Sequence, residues 1–163
     1  LLSLHALNQS LTLKFYLMKK IILSSFLFVT LGFVVSAAEI VINGNDTMQF
    51  DVKAFDVKAG EKVSLTLKNS GKLPKIAMGH NIVLLKKGVT AIGFGQKALG
   101  AGANATNTLP DSVKADAIAW TKLLGPGESD TVSFTAPKEP GAYEYVCTFP
   151  GHFAMMRGTM TVK

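Results

Sequence analysis

Lys62-Val63-Ser64-Leu65-Thr66-Leu67-Lys68 alternates without interruption: Val63, Leu65 and Leu67 face one way, and Lys62, Ser64, Thr66 and Lys68 face the other. A period of two is the signature of a strand with one face buried and one face wet. KAGEK at 58–62 makes a turn before it, and NSGKLP at 69–74 breaks the chain after it. The same grammar recurs outward in both directions. Glu39 to Asn43 and Met48 to Val57 read as strands, and Asn81 to Lys86 is apolar enough to be buried on both faces. Downstream, Thr131 to Thr135 alternates, PKEPG turns, Tyr143, Tyr145 and Cys147 share one face of the next strand, and Thr159 to Lys163 closes the chain. Seven or so short strands with Gly and Pro turns predict an all-β, two-sheet sandwich. Tyr143, four residues before Cys147, suits the hydroxyl-bonding tyrosine of a Greek-key corner.

Residues 88–119 leave this rhythm. They are rich in Ala and Gly, with a helix expected near Thr90 to Leu99 and irregular chain through GAGANATNTLPD, and they read as an insertion outside the sheets. GFGQKALG, from Gly93 to Gly100, does not space its glycines as a dinucleotide-binding loop does and lacks the strand-helix-strand setting such a loop requires. Loop or helix-capping use is its reading.

The net charge of +6 raises the question of nucleic acid, so the position of the basic residues matters. Lys14, Lys19 and Lys20 precede residue 39 and all eleven acids lie at or after Glu39, which leaves fourteen bases against eleven acids, a net of +3. No stripe of Lys or Arg interleaved with aromatics follows, and nucleic acid is excluded as a partner.

Met18-Lys19-Lys20 and the apolar run Ile21 to Val35 form a basic region and hydrophobic segment of signal-peptide type, and VSAAE offers a small-residue cut after Ala37 or Ala38. The run of fifteen residues is short of the roughly 20 that span a bilayer. The expected organisation is an upstream segment at 1–17 that looks like a misplaced start, a signal peptide at 18–38, and one domain at 39–163.

That domain holds one cysteine, Cys147, and two histidines, His80 and His152. No internal disulfide is available, and an unpaired thiol in an exported protein needs burial or a metal. Around Cys147 the chain reads CTFPGHFAMM, so a thiolate, an imidazole and the thioethers of Met155 and Met156 crowd into ten positions. Zinc has little use for a thioether and its structural sites bring cysteines in pairs. Two His, one Cys and a weak axial Met is instead the electron-transfer copper set, because soft sulfur suits Cu(I) and imidazole serves both oxidation states. Pro150 fixes its own φ and Gly151 frees the turn, which keeps the loop short and stiff. Spacing favours Met156 over Met155 as the axial donor; Met155 is expected to face outward, and Met48 and Met160 to lie in the core.

MGHNIVLL at 78–85, TKLLGPGESDTVSFTAP at 121–137 and YVCTFPGHFAMMRGTMTVK at 145–163 resemble the azurin family, blue copper proteins of the cupredoxin fold, over essentially all of residues 39–163. The resemblance implies one copper ion with His80, Cys147 and His152 as trigonal ligands, Met156 as the axial thioether and the Gly79 carbonyl as a weak contact opposite it. It implies that Asn81 ties the two ligand loops together and that backbone N–H groups near Asn81 and Phe149 bond to the cysteine sulfur. It further implies a monomeric, periplasmic type 1 copper electron carrier, not an enzyme. Its transient redox partners would be c-type cytochromes or copper or haem reductases, met through an apolar surface of Met78, Phe149, Pro150, Phe153 and Met155. A copper chaperone would need the same soft ligands without reversible redox, whereas a copper enzyme would need a second metal or an open position that two histidines do not provide. The chain departs from the family in lacking the remote disulfide, in carrying Asn69 where the family has a buried histidine, and in carrying Ile82 where a tryptophan commonly follows the M-G-H-N motif.

Overall fold

The computed structural model describes residues 37–163. The expected signal peptide and the segment before it lie outside the described residues, except for Ala37 and Ala38. Nine strands, β1 (Ala38–Asn45), β2 (Gln49–Phe50), β3 (Ala54–Val57), β4 (Lys62–Asn69), β5 (Val83–Leu85), β6 (Ala117–Trp120), β7 (Ser129–Thr135), β8 (Gly141–Val146) and β9 (Arg157–Val162), form two sheets among these residues. One sheet runs β2-β1-β4-β7 and the other β3-β9-β8-β5-β6.

The alternation of β4 is realised in space. Val63, Leu65 and Leu67 are at most 1% exposed, and β4 pairs parallel with β1, Ile42 opposite Leu67, and antiparallel with β7, Leu65 opposite Val132. In the second sheet β9 lies parallel to β3 and antiparallel to β8, with Met160 opposite both Phe55 and Tyr143. The faces meet in one core that contains Ile42, Phe50, Leu65, Tyr145, Met160 and, at one end, Cys147 and Met156. Burying an aliphatic or aromatic side chain of this kind is worth roughly 1.5–3 kcal/mol. Tyr143 donates its hydroxyl to the Glu139 carbonyl at 2.8 Å, as expected of the corner tyrosine.

Three expectations are corrected. Met48 to Val57 is two strands in different sheets, β2 beside β1 and β3 beside β9. Asp51 breaks the run because its carboxylate accepts from Asn43 N at 2.7 Å and Val52 N at 2.8 Å, and the Val52 carbonyl then accepts from Tyr145 Oη at 2.6 Å across the sandwich. Met48 is half-buried in the intervening turn with a left-handed φ of 56°, not in the core. The segment 88–119 is also not wholly outside the sheets: its last residues belong to β6, which joins the edge of β5 with Trp120 opposite Val83.

The remainder of that insertion matches its expectation. Helix α2 (Ala91–Gly100) follows the one-turn helix α1 (Lys75–Met78) in chain order and is capped by Thr90, whose Oγ1 accepts from Gly93 N at 3.3 Å. Its buried face, with Leu109 and Val113, covers Val83, Leu85 and Val146 on the outer side of the second sheet, forming a second core. This explains why Asn81 to Lys86 carries apolar residues on both faces: Ile82 and Leu84 point into the sandwich, Val83 and Leu85 under the helix.

Candidate metal centre

Strand β8 ends at Val146, and the chain from Cys147 to Met156 is a loop closed on itself. Cys147 N donates to the Met156 carbonyl at 2.9 Å, and His152 N to the Phe149 carbonyl at 3.0 Å. Gly151 carries a φ of 82°, a turn that strains any residue with a Cβ, and it opens a short 3₁₀ turn at His152–Ala154. The His152 carbonyl accepts from Met155 N at 3.0 Å and Met156 N at 2.8 Å. Met156 is thereby turned inward, fully buried, while Met155 is 58% exposed.

His80 arrives from a different element. It makes an antiparallel bridge with Leu124, its N–H donating to the Leu124 carbonyl at 3.0 Å and its carbonyl accepting from Leu124 N at 2.8 Å. Gly44, at the end of β1, leaves room for it: a Cβ there would lie 2.7 Å from Met156 Cε and 3.3 Å from His80 Cδ2.

These pieces bring one donor atom each of His80, Cys147 and His152 within 4.8 Å of one another. Cys147 Sγ is 3.6 Å from His152 Nδ1, and the two imidazole centroids are 5.1 Å apart. All three residues are buried, His152 retaining 3% exposure. Both ring nitrogens of His80 are buried without a hydrogen-bond partner, an arrangement native proteins avoid unless something fills it. Burial lowers the pKa of His80, with the Asn45 carbonyl and the Asp46 charge pulling weakly the other way without reaching hydrogen-bond geometry. Burial, then the neighbouring His80, pushes His152 down to about 4. Burial pushes the Cys147 thiol up to about 11, against a smaller opposite pull from the backbone N–H groups of Asn81 and Phe149. Without a cation the site is therefore neutral, with imidazole lone pairs free to bind, and a cation would have to displace the thiol proton. The donors are one thiol, two imidazoles and a thioether that shares the space over Gly44 with the His80 ring, a set that fits copper.

Asn81 is hydrogen-bonded to the loop that carries Cys147. Its Oδ1 accepts from Thr148 N at 2.9 Å and its Nδ2 donates to Thr148 Oγ1 at 2.9 Å. It also donates to Thr108 Oγ1 at 3.3 Å, so the insertion is bonded to the site as well. Neither Thr108 nor Gly44 was singled out by sequence: Thr108 lies in irregular chain with no period, and Gly44 matters only because β1 ends beside Met156. Of the expected docking residues, Met155 is exposed and Met78, Pro150 and Phe153 are half-buried; Gly79, expected as a carbonyl contact to the metal, is buried next to His80 in the chain. Phe149 is corrected from surface to wall: it is 6% exposed and packs on the His152 ring at 4.5 Å. Asn69 is buried and donates from Nδ2 to the same Leu124 carbonyl that His80 uses, at 3.1 Å.

A two-sheet sandwich whose end holds one buried cluster of two histidines, a cysteine and a methionine defines the class of small one-copper proteins. Residues 36–163 match the family of copper binding proteins described as plastocyanin/azurin. An azurin of Achromobacter denitrificans is 42% identical over 149 residues, covering 82% of this chain and 96% of that protein. An azurin of Pseudomonas aeruginosa is 41% identical over 125 residues, 75% of this chain and 82% of that one. Among solved structures, auracyanin A of Chloroflexus aurantiacus, titled a "blue" copper protein, superposes with a TM-score of 0.67 at 33% identity, over 78% of this chain and 100% of that chain. The chain belongs to the plastocyanin/azurin family, and it is a copper electron-transfer protein, not an enzyme.

Proposed function

We propose that the chain carries one electron at a time between redox proteins outside the cytoplasm, and that His80, Cys147 and His152 would hold the copper ion as its main donors, with the Met156 thioether and the Gly79 carbonyl as weaker ones. The observation that carries this reading is the convergence of three buried donors within 4.8 Å beside a wholly buried Met156. Copper supplies the one-electron couple.

The residues supply the rest. The bridge to Leu124 holds His80, the closed loop holds Cys147 and Met156, and Asn81 keeps the two from drifting apart. A site so fixed changes little in geometry between oxidation states, which speeds transfer. The backbone N–H groups of Asn81 and Phe149, which favour the charged form of the sulfur, would draw charge from the thiolate and tune the potential. Met155, Pro150 and Met78, with Phe153 beside them, form the apolar rim near His152 through which a transient partner docks. Leu73 and Ile76, close before Met78 in the chain, are also exposed, at 45% and 61%. The basic and apolar segment before residue 39 supports export, and no helix among the described residues is long and apolar enough to cross a membrane.

Copper reconstitution tests the assignment. The loaded protein is expected to show an intense visible thiolate-to-Cu(II) band that Cys147→Ser abolishes. A colourless loaded protein, or a blue Cys147→Ser variant, would overturn it.

A further inference from the structure

Gly93 and Gly95 sit inside α2, a helix of ten residues, where glycine is costly because it surrenders the most backbone freedom. Thr90 caps the helix at one end, and neither end calls for glycine at 95. The reason lies across the contact. A Cβ at Gly95 would run into the Cβ and ring of Phe153, with Cδ1 at 2.7 Å. The ring of Phe153 therefore lies directly on the helix backbone, and it packs with the second core beside Phe94 and Val146. Phe153 directly follows His152 in the same 3₁₀ turn, and α2 lies against that turn.

The turn's other ties are local. The backbone bonds from Met155 and Met156 to the His152 carbonyl run within the loop itself, and Asn81 grips the loop at Thr148, on the other side of Pro150 and Gly151. By contrast, a Cβ at Gly100, in the same helix, would meet nothing within 4 Å.

We propose that Gly95 and Phe153 are positioning residues, a hole in α2 and a knob on the ligand loop, through which the insertion fixes the orientation of His152. Within the Gly-rich stretch from Gly93 to Gly100, Gly93 serves the Thr90 cap and Gly95 is the seat of an aromatic ring. The proposal rests on His152 being a copper ligand.

The test compares Gly95→Ala, Gly100→Ala, Phe153→Ala and the double variant Gly95→Ala/Phe153→Ala by two readouts. One is the reduction potential of the copper-loaded protein; the other is amide hydrogen exchange at Met156 in the copper-free protein. Gly100→Ala is expected to leave both at their starting values. Gly95→Ala displaces the ring, and with it the turn. It is expected to change the ratio of Cu(II) to Cu(I) affinity about tenfold, about 59 mV for a one-electron couple, and to speed exchange at Met156 about tenfold. In the Phe153→Ala background the same glycine substitution is expected to move neither. A Gly95→Ala protein that behaves as Gly100→Ala does, or a shift of equal size with and without Phe153, overturns the proposal. If Gly95→Ala does not fold, Phe153→Leu leaves α2 intact and loosens the turn, and unchanged exchange at Met156 in that variant is the overturning result. Failure of the ligand assignment is separable, because the exchange effect needs no copper and Cys147→Ser reports on the metal alone.

Discussion

His80 and His152 face each other at 5.1 Å, yet they are held by opposite means. His80 is anchored through its backbone to Leu124, just after β6 and close to the start of β7, so it inherits the rigidity of the sandwich. His152 sits in a turn whose backbone bonds stay within residues 147–156, and its rigidity comes from closure, from Asn81 at one side and from Phe153 against α2 at the other. The difference teaches that a site can be stiff at one ligand by long-range sheet structure and at another by a short loop leaning on neighbours. The second arm is the one that variants should reach most easily.

Severing the link between the arms has the largest expected effect on stability. Asn81→Ala leaves Thr148 N and the Thr108 hydroxyl buried without their partner, and each orphaned group costs about 1–3 kcal/mol. Urea unfolding of the copper-free variant should show a loss of about 2–4 kcal/mol; a loss under 1 kcal/mol would mean the arms hold their places independently.

Acid should act next, and on the copper-free protein. His152 has a folded pKa pushed to about 4 by burial and by His80, against an ordinary value near 6.5. Between those values the unfolded chain binds a proton that the folded chain refuses, so this contribution to stability is complete above about pH 6.5 and is lost as pH falls toward 4. His80, lowered in the same direction, adds to the slope. Copper excludes protons from both imidazoles and from the thiol, so where unfolding releases the metal the stability of the loaded protein should fall with acid at least as steeply over this window. A loaded protein whose stability depends less on pH than that of the copper-free protein would contradict the ligand assignment.

Met156→Leu preserves volume within the core, with an expected stability change below about 1.5 kcal/mol, and keeps the visible band. Loss of the thioether should raise the potential, because a weaker axial donor favours Cu(I); a lowered potential in voltammetry would argue against Met156 as the axial donor. Thr108→Val removes one long hydrogen bond to Asn81 at 3.3 Å, and a loss of about 0.5–1.5 kcal/mol is expected with the blue band unchanged. A bleached Thr108→Val protein would show that the insertion governs the site more strongly than its contacts indicate.

What the chain shows before folding follows the same division. The strand β4 and the loop 147–156 are legible because their information is local: a period of two in one, donors at fixed short spacings in the other. His80 is legible from its own motif, M-G-H-N, and Asn81 with it. The break at Asp51 is not, because it depends on Asn43 and Tyr145 from other strands. β6 hides in an Ala-rich run and becomes a strand only by lying along β5. Gly44 and Gly95 are glycines whose purpose is the side chain that arrives opposite, and no spacing around them announces Met156 or Phe153. The sequence around Phe149 points to the surface because its neighbours lie there, while its ring turns inward onto His152.

The closed loop has a consequence for the unfolded chain. Cys147, His152 and Met156 lie within ten consecutive residues, so three of the four proposed side-chain donors stay close together when every strand has come apart. A denatured chain that can still grip the metal narrows the gap between what the ion gives the native and the unfolded states. The stabilisation that copper confers should therefore fall short of its affinity for the folded site, and the arrival of His80, brought in by the sheets, is what separates a native complex from an early one.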